Sequence, residues 1–577
     1  MKNYTLGLAT MGTSAAALFK NGKLIAAVEE ERLSRIKNDG NFPHKAISEV
    51  LDIEGIKLSD VHSISVYWRP WVLHTRMIGL VKKIILSPGS VLGLLNRVTD
   101  LFFSKENEDS NMGSWKDLFK LRAILSEVHG PIKADIKFVE HHLTHQVYAE
   151  SMKDWQHFVS LSYDGGGESD STVLSIVKNN KREILLKEKW PNSLGHFYST
   201  FTGFLGFKML EGEYKMMGLA PYGKPIYKDL ILKEILNILP KGKYKLNTKV
   251  CDYHSALNGR FSKKMCLLFG EPRGPEEKPS EHHINLATSV QAAFEEAQLN
   301  LLTYAHSKAP NTNKLVISGG CALNVSANGN ILKKEIFKEV IIPPAPHDAG
   351  CAIGAALVTL NQEVDIASVR SPYKGRIFLD REIEEVLQSS LKKSLERLSE
   401  RNLIEKTAYL LKEGKLIAWF QGGAEFGPRA LGNRSFLADP RRDEIREEMN
   451  EKIKKRELFR PFAPSTSAED SGDFFKINQE SPYMNIVCNV KSDKVPAITH
   501  IDNTARVHTV TELSNKKYYS LIKRFSDLTG VPVLLNTSFN IQEPIVYSPN
   551  DALLTFKKSG VDALVIGSYI ILRNDLK

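Results

Sequence analysis

The chain has 577 residues, 42% hydrophobic and 25% charged, proportions that exclude a disordered, collagenous or fibrous protein. At roughly 100–200 residues per domain, this length predicts two or more domains. Lys and Arg outnumber Asp and Glu by 77 to 67, a net charge of +10 that suits an acidic or phosphorylated small ligand and predicts no nucleic acid.

Five scattered cysteines (Cys251, Cys266, Cys321, Cys351, Cys488) without a Cys-x-x-Cys pair point to free thiols in a reducing compartment. The start MKNYTLGLATMG lacks the apolar core and cleavage site of a secretory leader. The apolar stretch at 77–95 is broken by Lys82-Lys83 and by Ser87-Pro88-Gly89. It reads as packed or surface-lying helices, so no membrane partner and a cytoplasmic location are expected.

In chain order, the strand YTLGLAT from Tyr4 meets the turn Met11-Gly12-Thr13-Ser14, then AAALF, the turn Lys20-Asn21-Gly22 and KLIAAVE. The same order returns in HFVSLSYD, Gly165-Gly166-Gly167, STVLSIV, Lys178-Asn179-Asn180 and REILLKE. This repeat predicts two related halves whose small-residue turns let backbone amides approach a phosphate. Residues 71–128, between them, read as a helical insertion. Apolar residues at Leu286, Val290, Ala293, Phe294, Ala297 and Leu301 predict a helix over 284–306. The strand KLVISGG then ends in Gly319-Gly320, and VIIPPAPHDAG leads into the small-residue helix CAIGAALVTL. Residues 364–376 read as a linker. Helices over 382–398 and 403–411, the strand KLIAWF and the β-rich segments VPVLLNTSFN and DALVIGSYIIL complete the chain.

His141 and His145, four apart, would project from one helix face as two ligands of one ion, with His142 pointing elsewhere. Asp164 and Asp348 are candidate carboxylate ligands, or else a turn former and a helix N-cap. Further along, glycines flank Arg429 and Arg434 in Gln421–Ser435, a loop whose guanidinium forks and free amides suit a polyphosphate. Arg460 lies among Pro and Phe. Further bases follow at Lys452, Lys454, Lys455 and Arg456, though most of the charges over 443–457 read as a solvated helix face. Asn536 and Ser538 end the VPVLL strand, as loop formers or phosphate ligands.

Together SAAALFKNGKLIAAVEEERLSRIKND, EHHLTH, SYDGGGE, LEGEYKMMGLAPYG, SGGCALN and FGPRALGNRS resemble the O-carbamoyltransferases of the nodulation-protein-U and cephem-carbamoylating type, tobramycin carbamoyltransferase among them. The resemblance implies an α/β protein with an actin-like (duplicated ribonuclease-H-like, ASKHA) domain over 1–368, similar to threonylcarbamoyl transferases, and a YrdC-like domain over 369–577. It implies that carbamoyl phosphate and ATP, with Mg²⁺, give carbamoyl adenylate in the C-terminal domain. The carbamoyl group then passes to the hydroxyl of a small natural-product acceptor in the N-terminal domain. Fe²⁺ or another divalent metal on His141, His145, Asp164 and Asp348 would serve that transfer. Ser14, Gly165, Gly166, Gly319, Gly320 and Asn324 would line the nucleotide there, and Arg429, Arg434, Lys455, Arg460, Asn536 and Ser538 would bind phosphates in the C-terminal domain. The family's His-Asp in the first turn is replaced here by Gly12-Thr13, leaving the acceptor-side base open, with His196 as a substitute. A tRNA threonylcarbamoylation-type enzyme and a non-catalytic nucleotide-binding protein are the alternative readings.

Overall fold

The computed structural model describes residues 3–72, 115–256, 259–391 and 395–576, which form a mixed α/β protein. It divides into two compact units: Met1–Ile25 with Asn38–Arg370, and Ala26–Lys37 with Ser371–Lys577.

Two five-stranded sheets of one design underlie the first unit. In the first sheet, β1 (Tyr4–Ala9) and β2 (Ala15–Lys20) pair antiparallel and β3 (Lys23–Glu29) returns beside β2. On the other side of β1, β4 (Ser63–Val66) and β5 (Asp135–Phe138) join in parallel. The second sheet repeats this with β6 (His157–Tyr163), β7 (Asp170–Lys178) and β8 (Lys181–Lys189). After the short hairpin β9 (Leu236–Ile238) and β10 (Tyr244–Leu246), β11 (Lys314–Ser318) and β12 (Glu339–Ile341) complete it in parallel. Even the hairpin turns match. Asn21 and Gly22 have φ of 48° and 79°, and Asn179 and Asn180 have 49° and 63°. A two-residue hairpin needs this left-handed pair, which Asn and Gly adopt most readily. The repeat read from the sequence is present.

Strand β1 is buried on both faces, as a strand flanked by neighbours and covered by helices must be, whereas the edge strand β8 carries exposed charges. Helix α1 (His141–Glu150) follows the first sheet but packs on β6 and β11 of the second. After α2 (Glu281–Lys308), helix α3 (Gly350–Thr359) follows the second sheet and packs on β1, β2 and β4 of the first. The two crossed helices also pack on each other. Glycine makes the approach possible. A Cβ on Gly354 would lie 2.0 Å from the Thr144 carbonyl oxygen, and one on Gly7 would lie 1.9 Å from that of Ala352.

The helix expected over 284–306 is α2, extended at its start by a Ser280–His283 capping box. The stretch read as a linker contains the short helix Ile366–Arg370. Of the expected insertion at 71–128, residues 73–114 lie outside the described residues, and so does the apolar stretch at 77–95. Its flanks Pro70–Val72, Trp115–Phe119 and Leu121–His129 are helical.

The second unit has a seven-stranded sheet. Its strands are β13 (Ile417–Phe420), β14 (Arg434–Ala438), β15 (Ala463–Ser467), β18 (His508–Val510), β19 (Val533–Ser538), β20 (Ala563–Ile566) and β21 (Tyr569–Leu572), ordered β18-β15-β19-β14-β13-β20-β21. A separate pair, β16 (Val487–Asn489) and β17 (Thr504–Arg506), lies between β15 and β18 in sequence. Alternation sorts the side chains. Trp419, Leu437, Leu534 and Val565 pack with α4 (Glu400–Lys412) and α5 (Lys516–Thr529), while Phe420, Phe436, Leu535 and Leu564 build the core on the opposite face. No helix among the described residues is long and apolar enough to cross a membrane, and all five cysteines are free.

Candidate functional site

The Glu140 carboxylate caps α1 by accepting from the Leu143 amide. This starts the helix so that His141 and His145 point inward, each 1% exposed. Asp164, at the end of β6, brings Oδ2 to 3.5 Å from His141 Nε2 and 3.2 Å from His145 Nε2. From just before α3, Asp348 places Oδ1 at 3.9 and 3.5 Å from the same nitrogens. Both ring nitrogens of His141 are buried without a hydrogen-bond partner. That is a costly state for a polar ring unless a ligand takes it up. Burial pushes the Asp164 carboxyl up, but the two imidazoles beside it outweigh this and hold the group well below the usual carboxylate range. Two imidazoles and two carboxylates converging in this way fit a divalent transition metal.

The third histidine of the run makes the contrast plain. His142 bonds Ser162 Oγ at 2.8 Å and the Asp170 carbonyl at 3.0 Å, and burial lowers it to about 4. It is a neutral core group. The turns around the cluster are held close by glycine: a Cβ on Gly12, at φ 72°, would fall 2.4 Å from Asp348 Oδ2. One on Gly320 would fall 2.9 Å from Asp164 Oδ1, and one on Gly319 would fall 2.1 Å from the Tyr163 carbonyl. Thr13 accepts from the Ala349 amide through Oγ1, so the Gly12-Thr13 turn positions the start of α3. Ser14 donates its amide to the Asp39 carbonyl and leaves a buried hydroxyl unbonded. The Gly165 amide bonds Asp164 Oδ1 at 2.6 Å. Near Gly165, His196 stacks on Tyr253 at 4.0 Å and 7°. Asn324 caps the helix Val325–Lys333 and pairs its amide with Gln291.

A different electrostatic environment occupies the second unit. Burial pushes the Arg506 guanidinium well below its ordinary value, and Arg429, Arg456 and Arg460 depress it further. Nε of Arg506 and Nε of Arg429 are buried without hydrogen-bond partners. Lys454, 1% exposed, donates to the Ser538 carbonyl at 2.5 Å and to the Asn540 carbonyl and Oδ1, each at 2.9 Å. Burial, then Arg456 and Arg460, push its ammonium well down. Gathered cations of this kind fit a polyanion such as a phosphate chain.

The family model described as "Carbamoyltransferase N-terminus" matches residues 4–357, and "Carbamoyltransferase C-terminus" matches 408–573. The chain belongs to the carbamoyltransferase family. It is therefore a transferase. A Synechocystis relative described as "Uncharacterized protein sll1178" is 37% identical over 97% of this chain and 94% of its own length. "Nodulation protein NolNO" of Sinorhizobium fredii is 35% identical over 97% of this chain and 79% of its own. The "3'-hydroxymethylcephem-O-carbamoyltransferase" of Amycolatopsis lactamdurans is 35% identical over 46% of this chain and 49% of its own. Among solved structures, T. kodakarensis HypF aligns over 62% of this chain and 47% of its own at 14% identity and a TM-score of 0.30, too distant to bear on activity.

One reading of this carbamoyltransferase's loop is corrected by its geometry. Amides expected to be free are engaged: Glu425 Oε1 accepts from Leu431, Asn433 and Arg434 at 2.8, 2.9 and 3.2 Å, folding the loop around a buried carboxylate. Arg434 is wholly buried. It donates to the Gln421, Gly422 and Asn433 carbonyls and lies 3.6 Å above the Phe420 ring. A buried guanidinium needs such acceptors, and here they are main chain. Asn536 ties the same loop through Ala430 and Ser465, with Oδ1 left unbonded. Arg460 lies 3.5 Å from Glu457. Lys455 is exposed at φ 46°; its neighbour Lys454 is the lysine that reaches Ser538. Nothing in the sequence pattern marks Arg506, and Lys454 and Arg456 stand there only among the bases of a charged run.

Proposed function

We propose that this carbamoyltransferase is an ATP-dependent O-carbamoyltransferase with two centres, one in an actin-like first domain and one in a YrdC-like second domain. The observation that carries the reading is the pairing, in one chain of this family, of a His-Asp cluster with an arginine cluster. In the second centre, Arg429, Arg506 and Arg460 would hold the phosphates of carbamoyl phosphate and ATP, while Lys454 ties down the Ser538–Asn540 turn. Positioning and charge neutralisation are the main requirements of such chemistry. Carbamoyl phosphate, ATP and water then give carbamoyl adenylate, pyrophosphate and phosphate. In the first centre His141, His145, Asp164 and Asp348 would hold a divalent metal. When bound, that metal supplies Lewis-acid polarisation of the carbamoyl oxygen. An acceptor hydroxyl attacks the carbamoyl carbon, its proton is lost, and AMP leaves. The duplicated sheet supports the first-domain reading, and the cephem-carbamoylating relative supports a small hydroxylated acceptor.

The test is a division of labour. Arg429→Ala should cost AMP formation from ATP and carbamoyl phosphate about 10²–10³-fold, yet spare transfer from supplied carbamoyl adenylate. His141→Ala should do the reverse. Both activities falling together in each folded variant, or no AMP with any divalent metal supplied to the wild type, would sink the two-centre scheme.

A further inference from the structure

A fifth donor lies in the first centre, and we propose that Cys351 is a metal ligand, its thiolate sharing the ion with His141, His145 and Asp348. The inference rests on the metal reading above and adds a soft donor to it. Asp348 and Cys351 are three apart at the start of α3, with the Cys351 amide donating to the Asp348 carbonyl at 2.9 Å. His141 and His145 are four apart on α1. The i,i+4 spacing puts the histidine pair on one face of α1, and the turn closed by the Cys351 amide on the Asp348 carbonyl brings the second pair together where α3 begins.

One ligand atom from each of these four residues lies within 4.8 Å of the other three. A small inward shift closes such a set on one ion at bonds of about 2.0–2.3 Å. Cys351 is wholly buried and in no disulfide. The unbonded nitrogens of His141 point independently to a ligand at this spot.

On binding, the S–H bond breaks, a sulfur–metal bond forms, and the proton leaves to solvent. A thiolate shifts preference toward Zn²⁺, Co²⁺ and Fe²⁺ and away from Mn²⁺ and Mg²⁺. Asp164 then serves as a further oxygen donor, or holds His145 through its 3.2 Å contact.

The experiment loads the full chain with Zn²⁺ for X-ray absorption and with Co²⁺ for optical spectra, beside Cys351→Ser and Cys351→Ala variants checked for native circular dichroism. Wild type should show a sulfur shell at about 2.3 Å and a sulfur-to-cobalt charge-transfer band, both lost in the variants. Zn²⁺ affinity should fall about tenfold or more, since even partners one shell out are worth roughly 10–100-fold, while Mn²⁺ affinity moves little. Stoichiometric uptake with only a nitrogen and oxygen shell would overturn the Cys351 assignment and leave the metal centre standing. No stoichiometric uptake of either ion would overturn both.

Discussion

The two clusters solve opposite electrostatic problems. In the first unit, imidazoles and carboxylates meet within 3.2–3.9 Å, so nitrogen and oxygen donors converge on one spot, which suits a cation. In the second unit, Arg506 is depressed by the like charges of Arg429, Arg456 and Arg460, and neither Arg506 nor Arg429 is paired with a carboxylate among the described residues. Like charges buried together lower stability, and a fold retains them where an anion compensates. Both clusters leave buried donors unbonded, but only the second also strains against its own charge.

The largest effect should come from removing that strain. Arg506→Met should cost AMP formation about 10²–10³-fold. It should also raise the thermal stability of the phosphate-free chain by ~1 kcal/mol or more, as relieved buried charge does. Differential scanning calorimetry with and without pyrophosphate reads both the gain and the lost ligand response; a destabilised variant would break the contrast between the clusters.

A smaller effect tests the first cluster's dependence on backbone placement. Gly12→Ala puts a methyl 2.4 Å from Asp348 Oδ2 at a left-handed φ, so Asp348 must move. Metal affinity by isothermal titration should fall roughly 10–100-fold, and AMP formation should hold. A matching fall in AMP formation would mean that the two centres are coupled rather than independent.

The smallest effect separates charge in a site from charge in a core. His508, 2.8 Å from Ser465 Oγ, is lowered by burial to about 3. With the folded value below the unfolded one, the unfolded chain takes the proton first as pH falls. The stabilisation is therefore whole above pH ~6.5 and lost between there and about 3, at no more than about 1.4 kcal/mol per pH unit. Urea midpoints should drop between pH 7 and 5, and His508→Gln should flatten that slope. An unchanged slope would assign the acid sensitivity elsewhere.

Much of the first centre is legible in the sequence because its signals are local: an i,i+4 histidine pair and glycine turns closing apolar strands. Cys351 is not, since a cysteine in a small-residue helix looks like filler until α1 and α3 cross. In the second unit, Arg506 sits on a three-residue strand with no pattern to mark it. Lys454 falls on a solvated face only if the segment winds as an α-helix. The turn Met449–Lys454 is π-helical, and its wider winding turns Lys454 inward while Lys455 ends the turn exposed. Arg434 shows the other side: a glycine-flanked arginine signals a special environment, and here its terminal nitrogens meet main-chain carbonyls while Nε stays unbonded.

The crossing of α1 and α3 has a consequence for ancestry. Each repeat sends its last helix onto the other repeat's sheet, the exchange seen when two identical chains swap arms. The histidine pair belongs to one repeat and the Asp348 pair to the other, so neither half holds the whole donor set. A gene duplication that fused such partners would have turned an intersubunit seam into an interior.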